Sequence, residues 1–297
     1  MRFVEWVRAS QAILFEASIV PAVVGTAAAV RAGAAFQAWI LLLILLSLVG
    51  IQAGANLFKG YYEGRDRSSP PSSPGSWFAF DSAAATNLTR DPRAVLHLGR
   101  VSFAIGAGAG LLLVVLTMKP ILLLFGLAGA LLAWSYSSPP LQLSYRGMGE
   151  VPTFLAFGPI MTVGATLASG GVGLRDSLFG SLVLGCLASA ISFGRYFPNR
   201  SEDMRKGKRT PVTLLGFQVA RRLFLLLTLA PIPLGIVWSF SGGRVVWIFV
   251  AFAFGIAILR AFPRAEGAAR FDRAIAWTVA AHAAVGLGIA AEFFFAL

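Results

Sequence analysis

Long apolar runs separated by short polar stretches dominate the chain. Nine of these runs have about the length of a membrane-spanning helix, which needs about 20 apolar residues. Pro139 and Pro140 end the fourth run, and two further prolines lie in the fifth, where neighbouring helices can satisfy the freed carbonyls. The pattern therefore predicts an all-α polytopic membrane protein with about nine transmembrane helices around a central cavity. The runs cover approximately residues 11–30, 36–58, 100–118, 120–137, 151–170, 177–197, 220–240, 244–260 and 275–296.

The composition agrees with a membrane protein. The 297 residues are 57% hydrophobic and only 13% charged, whereas a soluble domain carries about 25% charged residues. The first apolar run lacks a small-residue cleavage site, so we interpret it as a retained helix and not as a signal peptide. We expect residues 1–297 to form one transmembrane domain.

The net charge of +12 could suggest a nucleic-acid partner, but the charge distribution argues against one. With nine spans, 21 of the 25 Lys and Arg residues fall on the side of the N-terminus. Positive residues concentrate in cytoplasmic loops. The pattern therefore predicts a cytoplasmic N-terminus in the cytoplasmic (inner) membrane, with membrane lipids and no nucleic acid as partners.

Two polar segments on that side carry the candidate chemistry, at about residues 59–99 and 198–219. They are expected to be cytoplasmic active-site loops. Carboxylates mixed with Lys and Arg at a membrane boundary suit a magnesium-bound diphosphate. Four of the chain's 13 acidic residues lie where these segments leave the membrane: Glu63, Asp66, Glu202 and Asp203.

Such a site could ionise an allylic diphosphate. Metal ions and basic side chains neutralise the departing diphosphate, and aromatic faces tolerate the carbocation that remains. The chain contains 24 Phe, 7 Trp and 5 Tyr. Aromatic residues in membrane helices usually face lipid or pack, so the acids are the stronger signal. His282, in the ninth run, is expected to form a hydrogen bond with a neighbouring helix.

Three segments carry a resemblance to a known family. Residues 56–63 (Asn-Leu-Phe-Lys-Gly-Tyr-Tyr-Glu) are similar to a motif Asn-Leu-x-Asn-Asp-Tyr-x-Asp, and residues 203–210 to Asp-x-x-x-Gly-Lys-Arg-Thr. Residues 136–150 are similar to Tyr-x-x-x-Pro-x-x-Leu-x-Tyr-Arg-Gly-Leu-Gly-Glu, followed by Phe-Gly-Pro at 157–159. These motifs resemble the UbiA superfamily of intramembrane prenyltransferases. They are most like its 1,4-dihydroxy-2-naphthoate branch, over the chain to about Gly216.

The first and second motifs each depart from the family pattern. Lys59 stands where the family has Asn, and Gly60 stands where it has the first Asp. Glu63 replaces the next Asp. In the second motif Asn199 stands at the position of the first Asp, and Asp203 is retained. Lys59 could neutralise phosphate directly as a point charge.

The resemblance implies Mg²⁺ as cofactor and a role for each motif residue. The metal would be held by Glu63, Asp66, Asn199, Glu202 and Asp203. The prenyl diphosphate would be bound by Asn56, Lys59, Arg65, Asn199, Lys206, Lys208 and Arg209. The catalytic set would comprise Glu63, Asp66, Asp203, Tyr145 and Arg146. For the basic residues, a role in setting membrane topology alone is the competing interpretation.

The resemblance implies transfer of a polyprenyl group from its diphosphate to an aromatic or lipid acceptor, such as a naphthoate in menaquinone synthesis. Two alternatives remain open. A terpene cyclase of the same superfamily would ionise the same diphosphate but let the cation close on itself. A non-catalytic membrane protein would bind the prenyl lipid without turnover.

Overall fold

Helices joined by short turns make up the residues that the computed structural model describes, which are 6–7, 9–63, 92–137, 140–205, 207–244, 246–263 and 271–295. Side chains 62, 63, 92, 137 and 202 are not described. A 3₁₀ turn (Ala12–Leu14) precedes α1, a second (Leu143–Tyr145) precedes α5, and a π turn (Ala156–Ile160) joins α5 to α6. The helices are α1 (Glu16–Arg31), α2 (Ala38–Glu63), α3 (Pro92–Thr117), α4 (Ile121–Ser137), α5 (Glu150–Leu155), α6 (Met161–Ser169), α7 (Leu174–Gly194), α8 (Tyr196–Arg205), α9 (Pro211–Leu229), α10 (Pro231–Ser239), α11 (Val246–Ala261) and α12 (Phe271–Phe295).

Seven helical segments within the described residues are long and apolar enough to cross a membrane. Two shorter apolar helices, Ile121–Tyr136 and Val246–Ala261, occupy the fourth and eighth predicted positions. The fifth predicted span corresponds to α5, the π turn and α6 together. The helix departs from α-helical geometry at the π turn because the Pro159 nitrogen cannot donate an α-helical hydrogen bond. The all-α membrane fold is confirmed, and nine is an approximate count of its spans.

Helix α1 lies at the centre of the bundle and most of its side chains are buried. It packs against α6, α7 and α12. The Thr166 hydroxyl of α6 donates to the Gly25 carbonyl oxygen of α1 at 2.8 Å. Thr26 and Ser169 pair through their hydroxyls at 3.1 Å. Small and hydroxyl-bearing residues thus let these helices approach closely, as is usual between membrane helices.

The α2–α3 pair also depends on small residues. A Cβ added at Gly50 would lie 2.8 Å from the Cα of Gly106 on α3. That distance is too short for any side chain, so the two backbones meet directly at this level. The close approach fixes α2, whose C-terminal end carries the first polar motif.

His282 confirms its sequence-based expectation. Its ring is fully buried, and its Nδ1 lies 2.7 Å from Glu16 Oε2, so the hydrogen bond joins α12 to the start of α1.

The two expected loops are largely helical in the described residues, which corrects the sequence interpretation. Residues 59–63 continue α2, because Leu57 remains fully buried and no proline interrupts the helix. Residues 92–99 open α3. Within 198–219, α8 extends to Arg205 and α9 begins at Pro211. Thr210 caps α9 by accepting from the Thr213 amide at 3.3 Å, and a proline at the first helical position reinforces this start.

Candidate active site

The first motif lies on the last turns of α2, where residues three or four positions apart share one helix face. Asn56 and Lys59 occupy that face and are half-buried. The Asn56 amide donates to the Ser10 carbonyl oxygen at 2.9 Å. One turn earlier the Gln52 amide donates to the Leu14 carbonyl oxygen at 3.0 Å. In the structure Asn56 therefore holds the segment before α1 against α2.

Lys59 points toward α4. Its Nζ lies 5.6 Å from the ring centroid of Tyr136, in the range of a cation–π contact. Tyr136 closes α4 and begins the third motif segment. The lysine that replaces the family's asparagine is thus directed at an aromatic ring next to the other motifs.

The second motif occupies α8 and the turn after it. Lys208 Nζ lies 3.7 Å from Asp203 Oδ1, and the Lys208 amide donates to the Asp203 carbonyl oxygen at 2.8 Å. Gly207 has a positive φ of 66°, which lets the chain turn back after α8. The next amide, of Arg209, donates to the Tyr145 carbonyl oxygen at 3.0 Å, so the turn is fastened to the third motif segment.

Three tyrosines join the motifs: Tyr136, Tyr145 and Tyr196. Lys208 Nζ lies 5.3 Å from the Tyr145 ring centroid and 5.5 Å from that of Tyr196. Burial, together with the nearby Tyr136 and Glu150, raises the pKa of Tyr196 well above its usual value. Tyr196 therefore stays protonated at neutral pH. We call these three rings the tyrosine cluster.

Sequence reasoning assigned a role only to Tyr145 among these rings. Tyr is rare in the chain, with 5 residues in 297, and three of them gather here. That scarcity was the available signal. Tyr136 opens the third motif segment, and Tyr196 stands just before the second motif.

The remaining predicted site residues differ in their surroundings. Arg146 is exposed and donates from Nη2 to the Pro140 carbonyl oxygen at 2.8 Å, within its own loop. The Arg209 side chain is exposed. Asn199 is half-buried on α8, and its amide donates to the Arg195 carbonyl oxygen at 3.0 Å. The predictions for Arg65, Asp66 and Lys206, and for the side chains of Glu63 and Glu202, lie outside the described residues.

Hard oxygen donors are the part of this site that fits a magnesium ion. Asp203 is buried on α8, and Asn199 lies one helical turn before it. Carboxylate and amide oxygens are ligands for such hard cations, and Mg²⁺ often uses one or two carboxylates together with substrate phosphates and water. Among the described residues no group of three or more His, Cys, Asp or Glu side chains gathers. The donor types fit the ion, with Asp203 as the described carboxylate.

Fold and site together define an integral membrane protein in which polar motifs from α2, α8 and the 136–150 segment converge on one aromatic and basic cluster. The chain belongs to the UbiA prenyltransferase family, whose model matches residues 18–285.

Two relatives illustrate the similarity. A 1,4-dihydroxy-2-naphthoate octaprenyltransferase of Mycobacterium tuberculosis is 30% identical over 231 residues, covering 75% of this chain and 73% of that protein. The Bacillus subtilis protein of the same name is 24% identical over 80% of this chain and 74% of its own length. A solved UbiA homologue from Archaeoglobus fulgidus, bound to DMAPP and Mg²⁺, has the same fold, with a TM-score of 0.65. It is 14% identical, and the match covers 97% of this chain and 99% of that one.

Proposed function

We propose that this protein is an intramembrane prenyltransferase that moves a polyprenyl group from its diphosphate to a naphthoate-type aromatic acceptor in quinone synthesis. One observation carries the proposal. Lysines from the first and second motifs, Lys59 and Lys208, both contact the same tyrosine cluster. Two basic side chains from separate segments of the chain, beside aromatic rings, form a suitable receptor for a diphosphate with an allylic tail.

The lysines would neutralise the diphosphate as it leaves. Lys59 and Lys208 each bring one positive charge, and charge-assisted bonds to phosphate oxygens are among the strong ones in proteins. Arg65, Lys206 and Arg209 would add to this field from the same segments. Because these charges are fixed before the reaction, they stabilise the developing negative charge without reorganisation.

Asp203 and Asn199, with Glu63, Asp66 and Glu202, would hold Mg²⁺ on the diphosphate side of the cluster. When bound, the ion would withdraw charge from the phosphate oxygens and so help the allylic C–O bond to break. Asp203 Oδ1 lies 3.7 Å from Lys208 Nζ, so the oxygen ligand and the basic side chain lie next to each other.

The tyrosine rings would bind the reacting end of the prenyl chain. An aromatic face attracts a cation through its quadrupole, and a site closed to water protects a carbocation from hydrolysis. Tyr136, Tyr145 and Tyr196 supply such faces beside both lysines. The tail of the substrate would extend between the apolar helices of the bundle.

The names of the similar proteins support a naphthoate acceptor and menaquinone synthesis. The side of the bundle that carries most of the Lys and Arg residues would face the cytoplasm, with the protein in the cytoplasmic membrane and its N-terminus inside. Both substrates, one lipid-like and one water-soluble, would then meet at the membrane boundary.

A product assay tests the proposal and separates it from its alternatives. Purified protein would be incubated with a prenyl diphosphate and Mg²⁺, with and without 1,4-dihydroxy-2-naphthoate, and the products analysed by mass spectrometry. We expect a prenylated acceptor that forms only when the acceptor is present. A cyclised hydrocarbon formed without acceptor would instead indicate a terpene cyclase. Diphosphate binding without turnover would indicate a non-catalytic protein.

A further inference from the structure

Glu150 is a carboxylate beside the tyrosine cluster that the motif comparison left without a role. It begins α5, directly after the loop that contains Tyr145. The chain just before it runs against two rings of the cluster. A Cβ at Gly149 would lie 2.6 Å from the Tyr196 hydroxyl oxygen and 3.3 Å from Tyr136 Cε2. The start of α5 therefore borders the proposed site.

The Glu150 carboxylate has spare acceptor capacity there. Its Oε1 is buried, and the neighbouring Tyr196 hydroxyl is a donor that the chain offers to this carboxylate. An ionised carboxylate has about four acceptor positions, so a donor from the chain still leaves room for a hydrogen bond from a bound molecule. An O–H group of a bound molecule would supply one.

The position of Glu150 is fixed from two sides. The Ser189 hydroxyl of α7 donates to the Glu150 carbonyl oxygen at 3.2 Å and so anchors the first turn of α5. The Tyr196 hydroxyl lies within hydrogen-bonding reach of the carboxylate, and Lys208 lies close enough to interact with its charge. Glu150 therefore faces the same cluster as the lysines, and it does so from another helix than the acids of the two motifs.

We propose that Glu150 binds a hydroxyl group of the aromatic acceptor and takes its proton during prenyl transfer. The inference rests on the proposed function, and it assigns the acceptor, a hydroxyaromatic compound, to the Glu150 side of the cluster. Asp203 lies 3.7 Å from Lys208 and belongs to the diphosphate side.

The step balances in atoms and electrons. The hydroxyl proton passes to the Glu150 carboxylate, and the freed electron pair moves into the ring. The ring carbon forms a bond to C1 of the prenyl group, while the bond from C1 to the diphosphate oxygen breaks and leaves its electron pair on the diphosphate. The same ring carbon then loses its former substituent, as a proton or as carbon dioxide, and aromaticity returns. Glu150 finally releases its proton to solvent.

Tyr196 is a poor alternative for this proton. Its raised pKa keeps the hydroxyl protonated, so it can donate a hydrogen bond but not accept the proton at neutral pH. Of the two other rings in the cluster, Tyr136 lies against the start of α5, and a variant can test it directly.

The experiment compares Glu150→Gln, Tyr136→Phe and wild type in the purified protein. The acceptors would be a series of hydroxynaphthoates whose substituents make the hydroxyl progressively more acidic. We expect Glu150→Gln to lower turnover by about 10²-fold or more, the usual range for a lost general base. The loss should shrink as the acceptor becomes more acidic, because an acidic hydroxyl needs less help to ionise. Affinity for a non-ionising prenyl thiodiphosphate should stay within about twofold of wild type, since diphosphate recognition lies with the lysines.

Three results would overturn the inference. Glu150→Gln could transfer at the wild-type rate. It could lose activity equally with every acceptor, which would point to a structural role. Alternatively, the dependence on acceptor acidity could appear in Tyr136→Phe and not in Glu150→Gln. If wild type itself transfers no prenyl group, the proposed function fails, and that outcome is distinct from all three.

Two further variants separate a role of Glu150 as base from a structural role. Ser189→Ala removes the hydroxyl that anchors the Glu150 backbone while keeping the carboxylate, and we expect it to change turnover by less than about threefold. An equal loss in Ser189→Ala and Glu150→Gln would indicate misplacement of α5 and count against a base. If Glu150→Gln does not fold, Glu150→Asp takes its place. Its shorter carboxylate should lower turnover at unchanged diphosphate affinity, and undiminished turnover would contradict the proposal.

Discussion

Lys59 is the most informative residue to change, because it distinguishes this chain from the family pattern and points at Tyr136. The perturbation is Lys59→Met, which keeps most of the side chain's volume and removes its charge. Lys59→Arg keeps the charge. If Lys59 contacts the diphosphate, only the methionine variant should bind a prenyl thiodiphosphate weakly.

The structure allows the size of the effect to be bounded. A hydrogen bond to a charged group contributes about 1.5–3 kcal/mol. Each 1.4 kcal/mol corresponds to a tenfold change in Kd, so we expect affinity to fall by about 10- to 150-fold. If Lys59 only supports Tyr136, at 5.6 Å from the ring, the loss is that of a cation–π contact, about 0.5–2 kcal/mol between an exposed and a desolvated site. It would then appear in the free energy of unfolding and not in Kd.

The assay is calorimetric titration of the thiodiphosphate into purified protein, with thermal unfolding measured in parallel. Arg100→Met is the matched control. Arg100 is exposed on α3 and would contribute to the positive field on the same side, so its removal separates a specific contact from a general electrostatic effect. Wild-type affinity in Lys59→Met, together with a lowered melting temperature, would refute the diphosphate role of Lys59.

Asp203, Asn56 and the membrane topology can each be tested separately. Asp203→Ala should lower turnover by about 10²-fold or more, on the scale of about 3 kcal/mol for a lost electrostatic contact; unchanged activity in a steady-state assay would remove Asp203 from the site. Asn56→Ala removes the amide that donates to the Ser10 carbonyl oxygen and should cost about 1 kcal/mol of unfolding free energy, measured by thermal or denaturant unfolding, with little change in diphosphate Kd. A large Kd effect with unchanged stability would instead show that Asn56 binds substrate. Reporter fusions should place the N-terminus in the cytoplasm and the C-terminus on the other side, and both termini on one side would contradict the nine-span topology.

The fold could be predicted because hydrophobicity along the chain maps directly onto helices in a membrane. The ends of the elements could not. Residues 198–205 are polar enough to resemble a loop, yet they belong to α8. Helix α9 begins nine residues before the apolar run that predicted it, because Thr210 and Pro211 supply a strong helix start. Hydropathy does not register such local capping.

The candidate residues of each motif could be predicted from the sequence, but the contacts between the motifs could not. Lys59 was singled out by its departure from the family pattern, and the structure directs it toward Tyr136. The contact of Lys208 with Tyr196 and the position of Glu150 depend on how α5 and α8 pack around the bundle. No spacing in the sequence encodes these distances, because the first depends on the turn at Gly207 that directs Lys208 back along α8 and the second on the packing of α5.

A structure of the protein with a bound prenyl thiodiphosphate and Mg²⁺ would show where the diphosphate binds. We expect diphosphate density between the ammonium groups of Lys59 and Lys208, beside the Asp203 carboxylate, with the first prenyl carbons against the tyrosine cluster. Diphosphate bound elsewhere, or contacted by only one of the two motifs, would contradict this expectation.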